Sequence, residues 1–278
     1  MRTVRDFKQC HVGPWVGYFG DSFIKRWKFK KYTHLEEPVV FFGINRQDQI
    51  INNHRGPKIL ITTGPADLPD WNIITNRKNL IIISAVDYLQ TIIPPGVIFK
   101  REMIEMKDFS MFEPTPLGDK IYFYSGFSKG NEIPRKEDLY LISKDFGYEV
   151  ITTEHEHLTD YYNIQHLKEN YYDKSFLCMS LTPGMGMTTV REMALMGRKT
   201  LMNASGYMNI FNKATVWDYG NLSPHNKIEE NIKVFKKLVK KEAEKIGTVQ
   251  PSINVHTLTD DRWLYMDYYL KQSPVETI

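Results

Sequence analysis

The stretch Ser175-Phe-Leu-Cys-Met-Ser-Leu-Thr-Pro-Gly-Met-Gly-Met-Thr-Thr-Val-Arg-Glu-Met-Ala-Leu-Met-Gly-Arg-Lys-Thr-Leu-Met-Asn203 decides the fold. A short apolar run over 175–180 ends in a turn bearing Pro183, Gly184 and Gly186. A helical pattern follows over 189–196, and a second apolar run over 199–202 closes the segment. That order is one βαβ unit. Gly184 and Gly186 let the backbone approach a ligand closely. Thr188 and Thr189 open a helix whose free N–H groups and positive dipole end suit a diphosphate. Glu192, about one turn further on, is placed to accept hydrogen bonds from a ribose diol beside that diphosphate. A plainer reading stands beside this one: Thr189-Val-Arg-Glu192 is also a capping box, in which the two side chains satisfy each other's backbone N–H groups. The third glycine of the dinucleotide fingerprint is absent, since Thr189 holds its place, and the loop follows a late strand. NAD is therefore disfavoured.

Outward from this unit, the same alternation recurs. Residues 39–43, 58–62, 80–84 and 97–99 form a first series of short apolar runs, read as buried parallel strands. Residues 120–124, 149–152, 175–180 and 199–202 form a second, with helical patterns over 135–144, 163–170 and 189–196. Between the two series lies Phe112-Glu-Pro-Thr-Pro-Leu-Gly118, read as a linker. The expected domains are therefore 1–112 and 113–278, both α/β and Rossmann-like. A long amphipathic helix is expected over 226–245, with Ile228, Ile232, Phe235, Val239 and Ala243 on its apolar stripe and lysines on the opposite face. The aromatic tail 260–270 is read as helical and in need of a packing partner.

With 278 residues, 42% of them hydrophobic, the chain can bury a sizeable core. It has no apolar run of 18 or more residues and no apolar leader, so a cytoplasmic protein without a membrane span is expected. Cys10 and Cys178 form no CxxC pair and suit buried positions in a reducing compartment. A net charge of +3 is mildly basic, enough to favour a phosphate-bearing ligand but well below a dedicated nucleic-acid binder.

The turn, the helix with one glutamate and Gly197-Arg-Lys-Thr-Leu-Met-Asn203 together resemble the donor-site unit of the GT-B glycosyltransferases. Gly118-Asp-Lys-Ile-Tyr-Phe-Tyr-Ser-Gly-Phe-Ser-Lys-Gly130 resembles that family's first strand of the C-terminal domain with its diphosphate loop, and Ser125, Gly126, Ser128 and Lys129 match. Val12-Gly-Pro-Trp-Val-Gly17, Pro38-Val-Val-Phe-Phe-Gly43 and Gly56-Pro-Lys-Ile-Leu-Ile-Thr-Thr-Gly64 are similar to compact members of viral, phage or bacterial type. The resemblance implies two Rossmann-like domains facing each other across a cleft, and transfer of a sugar from a nucleotide sugar such as a UDP-sugar. It implies a nucleotide ribose on Glu192, a diphosphate near Gly184, Gly186, Thr188, Thr189, Gly126, Ser128 and Lys129, and no cofactor beyond the donor. Many retaining members carry a second acid eight residues before the ribose glutamate, where this chain has Gly184. The contact to the donor sugar is thus left open. No Asp-x-Asp occurs anywhere in the chain, which favours a metal-independent mechanism.

Transfer with inversion needs a base for the acceptor proton. Asp67, in a loop after a strand, is the first choice and Asp21, in the expected loop 17–22, the second; His11 and His54 are lesser options. Each aspartate equally suits a turn or helix cap. Glu154-His-Glu-His157 matches no standard zinc spacing, and no metal is expected. Trp15, Tyr18, Phe19, Phe23, Trp27 and Phe29 are interleaved with Lys25, Arg26, Lys28, Lys30 and Lys31. This pattern fits a stacking, phosphate-binding surface or, in the plainer reading, a core edge with snorkelling lysines. Together with the lysine-rich helix expected from Asn226 onward, it motivates an alternative to a glycan acceptor, a hydroxymethylated base in phage-type DNA; a non-enzymatic nucleotide- or DNA-binding protein is a further alternative.

Overall fold

The computed structural model describes residues 5–44, 47–62, 69–84, 87–124, 143–152, 163–180, 187–202, 216–217, 228–255 and 257–270. The chain divides into two compact units, residues 1–108 with 257–278, and residues 109–256. Among the described residues every paired strand runs parallel to its neighbour.

The first unit carries six strands: β1 (Gln9–Val12), β2 (Lys30–Lys31), β3 (Val39–Phe42), β4 (Lys58–Ile61), β5 (Leu80–Ser84) and β6 (Ile98–Arg101). Their order in the sheet is β2-β1-β3-β4-β5-β6. The central strands are apolar on both faces because both faces are covered. Val40, Phe42, Ile59, Ile61, Ile81 and Ile83 pack with Phe23 and Trp27 of helix α1 (Gly17–Trp27). Val39, Phe41, Leu60, Leu80 and Ile82 pack instead with Ile51 of α2 (Asp48–Asn53) and with Ile74.

The second unit carries β7 (Lys120–Phe123), β8 (Val150–Thr152), β9 (Ser175–Ser180), β10 (Lys199–Met202) and β11 (Val216–Trp217), in the order β11-β10-β9-β7-β8. Read from its other end, this sheet runs second, first, third, fourth, fifth in chain order. The first five strands of the first unit do the same. Both units are thus wound alike, with the direction of winding reversing at β1/β3 in one and at β7/β9 in the other. Ile121 and Phe123 face Val239 of α5 (Ile228–Ala243). Tyr122 and Tyr124 face Leu167 of α3 (Ile164–Leu167), Tyr172 of a π-helical turn (Lys168–Tyr172), and Met193 of α4 (Met187–Leu195).

Two expectations about organisation change. The stretch 112–118 is built into the second unit, because Phe112 and Leu117 are buried in its core and the Leu117 N–H donates to the Thr248 carbonyl. Gly118 is needed there for close approach: a Cβ at that position would meet the Lys174 backbone at 2.1 Å. The tail 257–270, expected with the second domain, packs into the first unit. Trp263, 0% exposed, lies against Phe23, Trp27 and Phe29, with ring centroids 5.3–6.1 Å away. It ends in α6 (Met266–Leu270).

Candidate functional site

In doubly wound parallel sheets, ligands bind beyond the carboxyl ends of the strands where the winding reverses. In the second unit those strands are β7 and β9, paired from Lys120↔Ser175 to Phe123↔Met179. The Tyr124 N–H continues the ladder to the Met179 carbonyl at 2.8 Å. The two strands therefore end side by side. The residues that follow them, 125–130 and 181–186, include Ser125, Gly126, Ser128, Lys129, Gly184 and Gly186, which lie outside the described residues.

Helix α4 begins at Met187 directly after the second of these segments. Thr188 is half-buried and Thr189 is buried. Because the helix starts two residues before Thr189, this threonine is its third residue and not its cap. Thr189 Oγ1 is buried with no hydrogen-bond partner among the described residues. The capping box does not form: a carboxylate oxygen of the buried Glu192 accepts the Tyr172 hydroxyl at 2.5 Å. Next to it, the Arg191 guanidinium lies 4.7 Å from the Phe109 ring and donates to the Val255 carbonyl at 3.4 Å.

The far end of the βαβ unit is anchored by a residue that sequence reasoning treated only as part of a motif. Arg198, 0% exposed, donates to the carbonyls of Ser175, Met196 and Pro116 and to Thr115 Oγ1 at 2.8–2.9 Å. Burial lowers its pKa to about 10, partly offset by Asp173, so the guanidinium stays charged at neutral pH. Gly197, with φ +78°, makes the turn into β10. Lys199 is engaged with Glu242 of α5 at 3.2 Å, at the amino end of β10 and so away from the carboxyl edge. The Cys178 thiol is pushed up by burial, as is that of Cys10. Neither is poised as a nucleophile.

In the first unit the winding reverses between β1 and β3, which are followed directly by Gly13 and Gly43. The Gly13 N–H donates to the Phe42 carbonyl at 2.8 Å, and a Cβ on Gly13 would fall 1.5 Å from the Gly43 oxygen. Gly43 itself has φ +60°. Asp21 is on helix α1 and not in a loop; the segment is helical because Phe23 and Trp27, four residues apart, bury together on the sheet. It is exposed, one turn into the helix that follows β1. Gly20, where a Cβ would meet Val12 Cγ1 at 2.1 Å, lets α1 lie close over that strand. Asp67 lies outside the described residues. His11 Nε2 is bonded to Gln47 Oε1 at 2.8 Å. His54 is 0% exposed, with Nδ1 3.2 Å from the Tyr32 hydroxyl, so it cannot reach an acceptor. Burial, with Lys58 nearby, lowers its pKa to about 4.

Of the aromatic residues expected to stack on nucleic acid, Phe23, Trp27 and Phe29 are core residues, 0–7% exposed. Among the described residues no three His, Cys, Asp or Glu side chains gather as metal ligands would, and 154–157 lie outside them. No described helix is long and apolar enough to cross a membrane.

No protein-family model matches the sequence, and no curated protein matches it. Among solved structures the chain is similar to AviGT4, a glycosyltransferase involved in avilamycin A biosynthesis. The alignment covers 87% of this chain and 93% of that one, at 10% identity and a TM-score of 0.38.

Proposed function

We propose that the protein is a glycosyltransferase of the two-domain GT-B kind, with the nucleotide-sugar donor on the second unit and the acceptor handled by the first. One observation carries this reading. The two segments that the sequence singles out for a diphosphate, 125–130 and 181–186, follow adjoining strands that flank the reversal of winding. The positive end of α4 then receives the diphosphate, and Glu192, its sixth residue, takes the nucleotide ribose while Tyr172 holds one of its oxygens. In the transfer, the acceptor oxygen bonds to the anomeric carbon as the bond from that carbon to the diphosphate oxygen breaks. The acceptor proton passes to a carboxylate, Asp21 or Asp67, and the nucleoside diphosphate leaves with the bonding electrons. Hydrogen-bond donors at a helix end stabilise the charge that develops on it, so the reading needs no metal. UDP is the nucleotide to try first.

A thermal-shift screen over nucleotides and nucleotide sugars tests the donor site, because a ligand that binds the native state raises its melting temperature. A UDP-sugar is expected to raise it, Glu192→Ala to abolish the rise, and Asp21→Asn to leave it intact. No shift by any nucleotide sugar at millimolar concentration would end the proposal.

A second reading keeps the donor chemistry and takes a hydroxymethylated base in DNA as acceptor. It is favoured by the exposed lysines at positions 8, 25, 28, 30 and 31 of the first unit.

A further inference from the structure

Residues 5–31 carry seven basic and two acidic side chains. The whole chain has a net charge of only +3, so everything outside this segment is net acidic. The structure gathers the surplus at one edge. β2 is the outermost strand of its sheet, Lys30 and Lys31 are both exposed on it, and the Lys30 N–H donates to the Lys8 carbonyl on the neighbouring chain segment. Lys28 caps α1 in a left-handed conformation (φ 55°) and turns the chain directly into that strand. Its N–H bonds the Lys25 carbonyl in the last helical turn. Lys8, Lys25, Lys28, Lys30 and Lys31 are all exposed, and among the described residues none has a carboxylate partner. Arg26, by contrast, is tied to Glu105 and to the Thr259 carbonyl, and Arg5 lies over Phe29.

We infer that this lysine edge is a docking surface for the phosphate backbone of duplex DNA. Five exposed lysines before β1, at the end of α1 and on β2, with no carboxylate partner among the described residues, suit a polyanion carrying one charge per ~1.7 Å of axis. Phe23, Trp27 and Phe29 are buried and so offer no face for the bases of a single strand to stack on. An edge strand also carries lysines to deter pairing with another sheet. That role accounts for Lys30 and Lys31 but not for Lys8, Lys25 and Lys28, which lie off the strand. The surface belongs to the first unit and is independent of the donor site on the second.

The test is binding of a labelled DNA duplex by fluorescence anisotropy between about 50 and 200 mM salt, where the slope of log K against log salt is about −0.9 per phosphate neutralised. The full-length protein is compared with K25Q/K28Q/K30Q and with K237Q/K240Q/K241Q, which neutralises exposed lysines of α5. The first variant should flatten the slope by about 2.7, and the second should leave it unchanged. The nucleotide-sugar thermal shift should be the same in both variants as in the parent, so a failed donor reading and a failed DNA reading give different results. No duplex binding at low salt would overturn the inference, as would a slope that falls only in the α5 variant. Binding to anionic-lipid vesicles, with no binding to duplex under the same conditions, would assign the edge to a membrane surface instead.

Discussion

The Tyr172 hydroxyl donates to a Glu192 carboxylate oxygen over 2.5 Å, with both side chains buried and 20 residues apart in the chain. A hydrogen bond to a charged acceptor contributes about 1.5–3 kcal/mol, and the loss of one partner leaves the other underserved. The π-helical turn that brings Tyr172 down onto α4 thus supplies a hydrogen-bond donor to this carboxylate.

Tyr172→Phe is therefore expected to lower stability by about 1–3 kcal/mol in urea unfolding. It should also weaken the nucleotide-induced thermal shift without abolishing it, while Glu192→Ala abolishes it. Equal shifts in Tyr172→Phe and the parent would remove Tyr172 from any part in positioning the glutamate.

Arg198 serves four acceptors of the second unit at once, so Arg198→Met takes a donor from the Met196 and Pro116 carbonyls and from Thr115 Oγ1, while the Ser175 carbonyl keeps the Gly118 N–H. A loss of more than about 3 kcal/mol is expected, and Arg198→Lys should recover only part of it, because an ammonium cannot reproduce the guanidinium's planar fork. Full recovery by lysine in the unfolding midpoint would show that charge alone matters at this position.

Trp263→Ala should cost about 3–5 kcal/mol through the cavity it opens against Phe23, Trp27 and Phe29. The loss belongs to the first unit although Trp263 is near the end of the chain. Hydrogen exchange should show protection falling in β3, β4 and β5 and holding in β7 and β9; the opposite pattern would place the tail elsewhere.

His54 sets an acid limit on the first unit. Its pKa falls from an ordinary 6.5 to about 4 on folding, through burial first and Lys58 second. Between these values the unfolded chain binds the proton and the folded one does not, so stability is fully present above pH 6.5 and is lost as pH falls towards 4. The effect is on the order of 3 kcal/mol. His54→Gln, which cannot titrate, should flatten that part of the stability–pH curve; a curve of unchanged slope would mean that other groups control it.

The parallel strands were legible because strands covered on both faces read as continuous apolar runs, and β3, β4, β5, β7, β9 and β10 all show this. β1 was not. Gln9 and His11 interrupt its apolar pattern, yet Gln9 is buried because its side-chain amide bonds the His34 and Glu37 carbonyls and accepts the Thr33 and His34 N–H groups. Nor was α1 read as a helix, since Gly17 and Gly20 suggest a loop and only packing of Phe23 and Trp27 on the sheet offsets their low propensity. At the site, the position of Glu192 in the helix after a strand was legible. Its bond to Tyr172 was not, because a partner 20 residues away leaves no local signal.

By itself the amino-acid sequence determined the class of the protein. Short apolar runs alternating with helical patterns can bury both faces only as parallel sheets covered by helices. Tertiary structure decided the rest: that both units share one winding order, that β7 and β9 end together, that the tail returns to the first unit, and that Lys30 and Lys31 lie on an edge strand. These relations depend on which strand lies beside which, and pairing between strands distant in sequence is set by the packing of the whole core rather than by any local pattern.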